Sequence, residues 1–308
     1  MQCEPEMAFS LQRAKELLVD RGYQEVVSYS FISQEMHDLM GTQHAAVKLS
    51  NPISADMSIM RTSLWPSLLQ TAVYNQSRQQ GRVRIFESGL RFIMKPSDIR
   101  QEAMLSGLIS GEAMPEQWGE VSRGVDFFDL KSDLESILDL TGSPGDFTFM
   151  PGEHPSLHPG QSARVMRNGE PVGWMGMLHP RLEEKLSLAG MTFLFEIGLN
   201  QLSGGCLPAF TPLSKFPSIR RDISIVVDDE VKYSQIYDCI RQVAPEILQD
   251  IRLFDVYTGK NIDFGRKSLA LGLILQGTSH NLTDEDAEGV MGRVLKALSD
   301  KLNAQLRE

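Results

Sequence analysis

The sequence is poor in cysteine and has no long apolar run. Its three cysteines, Cys3, Cys206 and Cys239, are odd in number and far apart, which argues against a disulfide framework and against a zinc cluster. No apolar run approaches the roughly 20 residues that span a bilayer. Residues 1–6 lack the basic start and the apolar stretch of a secretory signal. These absences predict a cytoplasmic protein without a membrane partner.

Internal repeats and low-complexity tracts are absent too, and the remaining composition is that of an ordinary globular protein. The chain has 308 residues, 42% hydrophobic and 23% charged, enough for two domains. Its net charge of −10 discourages a nucleic-acid assignment from composition alone. However, residues 212–308 carry 13 Lys+Arg against 15 Asp+Glu, and the upstream part carries 17 against 25. The less acidic C-terminal part permits RNA binding through a local patch without establishing it.

A run of glycines and prolines marks a domain boundary. Residues 203–212 read Ser-Gly-Gly-Cys-Leu-Pro-Ala-Phe-Thr-Pro and interrupt both the helical and the strand periodicity. We therefore predict a larger domain at residues 1–202, a linker at 203–211 and a smaller domain at 212–308.

Periodicity predicts an α+β fold for the larger domain, with a mostly antiparallel sheet flanked by helices. An opening helix with Leu11, Ala14 and Leu18 on one side ends near Gly22. Asn168-Gly169 is typical of a hairpin turn. The other predicted helices are residues 63–75 and 130–140, and the predicted strands are 26–31, 82–87, 104–110, 162–167, 172–178 and 192–197.

The smaller domain has the pattern of a ferredoxin-like βαββαβ unit. Alternating Ile223, Ile225 and Val227 predict its first strand, and Thr283 is a typical N-cap for its last helix. The remaining predicted elements are a helix at residues 235–244, strands at 250–257 and 268–277, a helix at 284–302 and a final strand at 303–307.

Cations and aromatic residues surround the strands of this smaller domain. Cations there would contact phosphates, while Phe254 or Tyr257 would stack on an unpaired base. The competing interpretation is that the cations are only solvated, with Asp222 pairing with Arg221. The candidate RNA-binding residues are Lys215, Arg220, Arg221, Arg252, Phe254, Tyr257, Lys260, Arg266 and Lys267.

Several sequence strings, in one order along nearly the whole chain, resemble one family. Residues 220–223, 253–260 and 267–276 resemble the ferredoxin-fold anticodon-binding domain that ends the β subunit of bacterial phenylalanyl-tRNA synthetase. The upstream strings resemble that subunit's catalytic-like domain; they are residues 21–31, 51–54, 60–66, 74–76 and 83–90.

The resemblance implies a class II synthetase-like antiparallel sheet domain followed by the ferredoxin-like domain. It further implies a C-terminal part of the β subunit that scaffolds the catalytic α subunit, in an α2β2 tetramer, and binds the anticodon region of tRNA(Phe). The complete enzyme uses ATP and Mg2+ to phenylalanylate tRNA. In this chain we expect no metal site and no editing site, because the family's magnesium carboxylates and editing domain lie upstream. We also expect no catalytic residues, for the reason that follows.

Class II active sites hold ATP phosphates with arginines, because the transferring phosphorus needs charge neutralisation. Arg84 and Glu87 resemble the first such element, but lie three residues apart on a strand and should face opposite ways. Residues 173–180 lack the glycine spacing and the Glu-Arg pair of the second element. We therefore expect structural or subunit-interface roles for Arg61, Trp65, Arg84 and Glu87.

Other polar residues favour structural roles. Asp133 lies on a predicted helix between Lys131 and Glu135, which predicts a solvated face. His154, His158 and His179 each precede or neighbour a proline and are predicted to shape turns.

Two alternative functions remain open from the sequence. A free-standing ligase that activates an amino acid with ATP would need its γ-phosphate arginine in an unexpected place. A protein-interaction module that never touches RNA would fit the mild acidity of the smaller domain.

Overall fold

The computed structural model describes residues 9–41, 45–203, 210, 212–260, 262–278 and 280–307. The chain divides into two compact units, Met1–Pro208 and Ala209–Glu308. Most of the predicted linker, residues 204–209 and 211, lies outside the described residues. In the described part of the chain, no helix combines the length and apolarity that crossing a membrane requires.

The first unit is a seven-stranded sheet flanked by helices, as predicted. Its strand order is β1-β4-β5-β9-β8-β7-β6, and every pair is antiparallel except the parallel β1 and β4. The strands β2 and β3 form a separate pair. The strands are β1 Gln24–Glu25, β2 Phe31–Ile32, β3 Ile59–Met60, β4 Val83–Met94, β5 Ile99–Ser110, β6 Phe147–Pro151, β7 Leu157–Arg167, β8 Glu170–Leu178 and β9 Thr192–Gly198. The helices are α1 Leu11–Asp20, α2 Gln34–Met40, α3 Trp65–Gln76, α4 Phe127–Asp139 and α5 Pro180–Leu186.

Local signals explain where these elements begin and end. The Asp126 side chain accepts hydrogen bonds from the amides of Phe128 and Asp129 and so starts α4. Asn168 and Gly169 have φ angles of 50° and 85°, as the predicted turn between β7 and β8 requires. Gly22 follows α1 with a φ of 81°, a conformation that glycine adopts at low cost.

The prediction of a strand at residues 26–31 was wrong for residues 26–30, and Phe31 alone lies in a strand, β2. The alternating residues that suggested it do not pack inside, since Val27 is 92% exposed and Tyr29 is 66% exposed. The Val26 amide donates to the carbonyl of Phe86 and the Ser28 amide to the carboxylate of Glu87. At Ser28 a side chain takes the place of a backbone partner, and the residues in ladders are those of the short flanking strands β1 and β2.

The sheet of the first unit carries a hydrophobic core on each face. On one face, α1 and α4 cover a cluster that includes Phe86, Phe193 and Phe195. On the other face, α2, α3 and α5 cover a cluster that includes Ile85 and Leu194. Neighbouring strand residues thus alternate between the two cores, which sets the direction of every polar side chain between them.

The second unit is the predicted ferredoxin-like fold. It runs in the order β10 Ser218–Asp228, α6 Tyr233–Val243, β11 Leu248–Tyr257, β12 Arg266–Gln276, α7 Asp284–Leu302 and β13 Gln305–Leu306. The strand order is β11-β12-β10-β13, and all pairs are antiparallel.

The N-terminus of α7 is capped as predicted. The Thr283 hydroxyl accepts from the Asp286 amide, and the Asp286 carboxylate accepts from the Thr283 amide. That backbone hydrogen bond holds the pKa of Asp286 below its usual range. This capping box explains why the helix begins at the residue that the sequence indicates.

The two helices of the second unit leave one sheet face uncovered. Ile223, Ile225 and Leu271 join the core that α6 and α7 cover. Residues at the alternate positions of β10 and β12, such as Arg220 and Gly272, therefore point to the opposite side. We call this uncovered side of the four-stranded sheet the open face.

Candidate functional site

Arg220 lies on the open face, two residues after the start of β10, and the sheet leaves space for its side chain. Its Nε donates to Asp222 Oδ1 at 2.7 Å. A side chain at Gly272 would collide with this pair, because a Cβ there would lie 2.9 Å from Arg220 Nε and 3.0 Å from Asp222 Oδ1. The absence of a side chain at Gly272 thus lets the Arg220–Asp222 ion pair lie against the backbone of β12.

Phe254 lies beside this pair. Arg220 Cζ is 5.2 Å from the ring centre of Phe254, and the ring is 54% exposed. The residue falls in an irregularity of β11, between Leu253 and Asp255, where a bulge re-aims a side chain. The open face therefore presents an aromatic ring next to a guanidinium group.

A second ion pair flanks the first. Arg252 faces Gly272 across β11 and β12, and its Nε donates to Asp250 Oδ2 at 3.0 Å. Both side chains are more than half exposed. Each arginine therefore keeps guanidinium N–H groups that can donate to a phosphate, while the carboxylates reduce the net positive charge of the face.

The predicted pairing of Arg221 with Asp222 was wrong. Arg221 pairs across the sheet with the buried Leu273, so its side chain lies on the helix-covered side, where it contacts Asp284 at the start of α7. The two adjacent arginines therefore serve different faces, and only Arg220 points to the open one.

Arg266 and Lys267, at the start of β12, make hydrogen bonds within the fold of the second unit. Arg266 donates to the carbonyls of Val226 and Asn303 and to the side chain of Gln305, and it is only 12% exposed. Lys267 donates to the carbonyl of Asp229 at 2.7 Å. These hydrogen bonds connect β12 to β10 and to Asn303 and Gln305. Both cations therefore stabilise the fold.

The remaining candidates differ in how far they are engaged. The Tyr257 hydroxyl donates to the Lys260 carbonyl, and Arg307 Cζ lies 5.1 Å from the Tyr257 ring centre. Lys215 and Lys260 are exposed, and among the described residues neither ammonium has an ion-pair partner. The geometry can therefore combine one aromatic platform, Phe254, with phosphate-binding cations around it.

In the first unit, Arg61 and Glu87 form a buried ion pair. Arg61 is 1% exposed and Glu87 is 3% exposed. Arg61 Nη1 lies 2.8 Å from Glu87 Oε1 and from Ser28 Oγ, and Nε donates to the Leu90 carbonyl. Gly89 leaves room for the guanidinium, since a Cβ there would be 2.3 Å from Arg61 Nη2. The pair joins the irregular segment after β1 to β4.

Arg84 lies on the opposite face from Glu87, as strand alternation predicts. Its Nη1 is 3.1 Å from Asp133 Oδ2, and Arg21 Nη1 is 2.8 Å from Asp133 Oδ1. The Tyr23 hydroxyl donates to the same carboxylate at 2.8 Å. Burial, and then the Asp133 charge, raise the pKa of Tyr23 well above its usual value.

The predicted solvated face for Asp133 was therefore wrong. The carboxylate is 4% exposed and holds α4 against α1 and β4. Its burial is tolerable because two guanidinium groups and a hydroxyl satisfy its oxygens.

We expect Asp133→Ala to lower the free energy of unfolding of the chain by about 3 kcal/mol, because it leaves two arginines beside a low-dielectric core. Urea unfolding followed by tryptophan fluorescence measures this change, since Trp65, Trp118 and Trp174 all lie in the first unit. Asp139→Ala, at an exposed position of the same helix, is the control and should change little. Equal effects of the two substitutions would contradict a supporting role for Asp133.

Sequence reasoning missed Glu196 and Arg91. Glu196 is a carboxylate inside the fully buried strand β9, and an acid within an apolar strand was the available signal. Its Oε1 accepts from the Leu64 amide at 2.7 Å and from Ser63 Oγ at 3.0 Å, so it caps the start of α3. The Trp65 ring nitrogen, also at that start, donates to the Phe195 carbonyl.

The three histidines predicted to shape turns do lie in or beside turns. The Nδ1 atoms of His154, His158 and His179 accept the backbone amides of Ser156, Gly160 and Arg181. Among the described residues no group of three or more His, Cys, Asp or Glu side chains is arranged to hold a metal ion.

Comparisons with known proteins agree with both units. Residues 4–199 match the family model described as the phenylalanyl tRNA synthetase beta chain CLM domain. Residues 214–307 match the ferredoxin-fold anticodon binding domain.

Curated relatives cover nearly the whole chain. The phenylalanine–tRNA ligase beta subunit of Nitrosococcus oceani is 48% identical over 97% of this chain and 38% of its own length. That of Pseudomonas fluorescens is 46% identical over 100% of this chain and 39% of its own length. The chain thus spans about two fifths of these relatives. A solved pyrrolysyl tRNA synthetase of Desulfitobacterium hafniense is similar over 63% of this chain and 65% of its own, at 18% identity and a TM-score of 0.45, too weak a likeness to add to the argument.

Proposed function

The chain belongs to the phenylalanyl tRNA synthetase beta chain family, and from this premise we propose that it binds the anticodon region of tRNA(Phe) through the open face of its second unit. The observation that carries the proposal is the exposed Phe254 ring beside Arg220. Base stacking on an exposed ring and phosphate contacts by neighbouring cations are the usual means of holding single-stranded RNA.

The residues of the open face divide by role in this proposal. Phe254 stacks on a base, while Arg220 and Arg252 contact phosphates. Lys215 and Lys260 add charge at the rim. Arg266 and Lys267 keep structural roles because their side chains are already bound within the fold. We assign no base contact to Arg221, which lies on the helix-covered side, or to Tyr257, whose hydroxyl is bound to the Lys260 carbonyl.

The first unit, in the same proposal, is a non-catalytic scaffold for the α subunit of the enzyme. Its Arg84 guanidinium is 8% exposed and bound to Asp133, and Glu87 is bound to Arg61. Neither side chain is available to hold ATP phosphates. Trp65 and Arg61 are both buried and support the fold of this unit from within.

The complete enzyme, as proposed, joins phenylalanine to tRNA(Phe) at the expense of ATP and with Mg2+, in the cytoplasm. It would assemble as an α2β2 tetramer. Bond making would belong to the α subunit, and this chain would supply assembly and positioning of the tRNA.

The testing experiment is equilibrium binding of this chain to tRNA(Phe) and to an unrelated tRNA across a salt titration. We expect salt-sensitive binding that prefers tRNA(Phe). Arg220→Ala should weaken binding at low salt by about tenfold, the effect of losing one charge-assisted hydrogen bond, and should flatten the salt dependence. Full affinity of this variant would count against the open face.

Arg221→Ala is the matched control, because it removes the same charge from the next residue on the helix-covered side. We expect it to keep nearly full affinity, with any loss confined to the long-range effect of one charge. Thermal unfolding of both variants shows whether either change acts through the fold. Equal losses in the two variants would indicate nonspecific attraction.

One observation favours a second function, a protein-interaction module without RNA contact. Both open-face arginines are paired with carboxylates, Arg220 with Asp222 and Arg252 with Asp250, which leaves the face with little net charge. Under this alternative neither tRNA binds even at low salt, and the chain still associates with the α subunit.

A further inference from the structure

A cavity of about 480 Å3 opens in the first unit, lined in part by Thr62, Ser63 and Trp65 at the start of α3. Its volume is in the range of small-molecule sites, which are commonly about 300–1,000 Å3. Trp65, His154 and Trp174 form an aromatic wall, in which the His154 ring lies 5.0 Å from Trp65 and 5.2 Å from Trp174 between ring centres. The proposed function makes no use of this cavity.

The strand register explains why the space is there. Met104 pairs with Gly198 across β5 and β9, and both residues line the cavity. Because Gly198 has no side chain, this cross-strand row leaves space at the floor of the cavity. The next row crosses three strands as Glu196, Trp174 and Arg164. Because neighbouring strands lie about 4.8 Å apart, the backbones of Glu196 and Arg164 are roughly 10 Å apart across two strand spacings.

The two ends of this row are a carboxylate, Glu196, and a guanidinium group, Arg164, and they do not pair with each other. Among the described residues, Glu196 Oε1 accepts from two donors within 3.0 Å, whereas Oε2 accepts from Arg91 Nη1 alone, at 3.3 Å. Arg91 itself lies closer to Glu102, at 2.6 Å, and Glu102 also holds Arg100. Burial outweighs Arg91 and raises the pKa of Glu196. Within the described part of the chain, the floor of the cavity therefore has a carboxylate oxygen with a single long hydrogen bond.

Arg164, at the rim, is the complementary group. Its guanidinium carbon lies 4.6 Å from the centre of the Trp174 ring, and the side chain is exposed. Within the described residues no carboxylate lies within ion-pair distance of it. A planar guanidinium fixed on an aromatic ring is well suited to bind a carboxylate in a bidentate way.

We propose that this cavity binds a small zwitterion, with a primary ammonium on Glu196 Oε2, a carboxylate on Arg164 and an apolar body about one ring long against the aromatic wall. The ammonium supplies the donors that Oε2 lacks. The carboxylate replaces water at Arg164. The distance between the two charges selects the ligand, since a molecule with only one of them satisfies only one end of the row.

The experiment uses 4-(aminomethyl)benzoate as the probe, with benzylamine and benzoate as single-charge comparisons. Binding to the 308-residue chain is measured by calorimetry and by fluorescence, because Trp65 and Trp174 line the cavity. We expect the zwitterion to bind more tightly than either comparison. Glu196→Gln and Arg164→Gln should each weaken its binding about tenfold, as expected for a charge-assisted hydrogen bond.

Glu196→Gln should fold, because the amide oxygen can still accept from Ser63 and Leu64. Glu170→Gln is the matched control: it makes the same charge change at an exposed residue outside the cavity and should leave the affinity for the probe unchanged. The proposal is overturned if Glu196→Gln binds the probe as well as Glu170→Gln does. It is also overturned if benzylamine or benzoate binds as tightly as the zwitterion, or if none of the three binds.

Discussion

Arg61→Ala is expected to lower the free energy of unfolding of the first unit by about 3–5 kcal/mol, the usual result of removing one partner from a buried ion pair. The substitution leaves the Glu87 carboxyl group buried, at 3% exposure, without its guanidinium partner, and it also removes the donors to Ser28 and to the Leu90 carbonyl. Since native domains are stable by about 5–15 kcal/mol, this single change should bring the unit close to unfolding. The midpoint of urea unfolding, read by tryptophan fluorescence, measures the loss.

Two further variants separate charge from packing. Arg13→Ala removes a 66% exposed arginine that is paired with Glu16, and it should change the free energy of unfolding by less than about 1 kcal/mol. The double variant Arg61→Met with Glu87→Leu removes both charges and should be more stable than Arg61→Ala. A double variant as unstable as the single one would show that the hydrogen bonds to Ser28 and Leu90, and not the unpaired carboxylate, dominate the effect.

Local chemistry explains which elements the sequence predicts well. The helix α7 has the predicted bounds because Thr283 caps its start and Asn303 ends it with a φ of 51°. The β7–β8 hairpin is fixed by Asn168-Gly169 in the same way. The order of elements in the second unit then leaves few topologies open, and the ferredoxin-like sheet follows.

Contacts between distant residues explain what the sequence does not predict. Asp133 has polar neighbours along the chain that suggest solvent, but its partner Arg21 is 112 residues away and Arg84 is 49 residues away. Residues 26–31 alternate like a strand, yet Ser28 within them bonds to Glu87, which is 59 residues away in the sequence. Neither partner can be inferred from local periodicity, because burial of a charge depends on a counter-charge that only the fold supplies.

The candidate site includes one error that strand geometry could have prevented. Side chains two residues apart on a strand share a face, whereas adjacent side chains do not. The period of two therefore pairs Arg220 with Asp222, as observed, and places Arg221 on the other side. The position of Phe254 could not be predicted in this way, because it depends on the irregularity in β11. No residue type in that strand indicates this irregularity.

Phe254→Ala is expected to weaken binding of tRNA(Phe) by about 5- to 150-fold, the range for losing one stacked base at 1–3 kcal/mol. The ring is 54% exposed and makes its close cation contact with Arg220, so its removal should cost the fold little. Stacking is an uncharged interaction, and the loss should therefore persist at high salt, unlike the effect of Arg220→Ala. Filter binding or calorimetry at two salt concentrations separates the two contributions.

Two further variants test whether the loss of affinity in Phe254→Ala comes from stacking on the open face. One keeps an aromatic ring at position 254, and the other removes a ring elsewhere. Phe254→Tyr keeps an aromatic ring and should retain most of the affinity. Phe264 is a fully exposed aromatic residue in the turn between β11 and β12, and Phe264→Ala removes a ring of the same size away from Arg220. If Phe264→Ala causes the larger loss, the RNA follows the turn instead of the open face. If Phe254→Tyr binds as weakly as Phe254→Ala, the ring does not act by stacking, because a phenol provides the same aromatic surface.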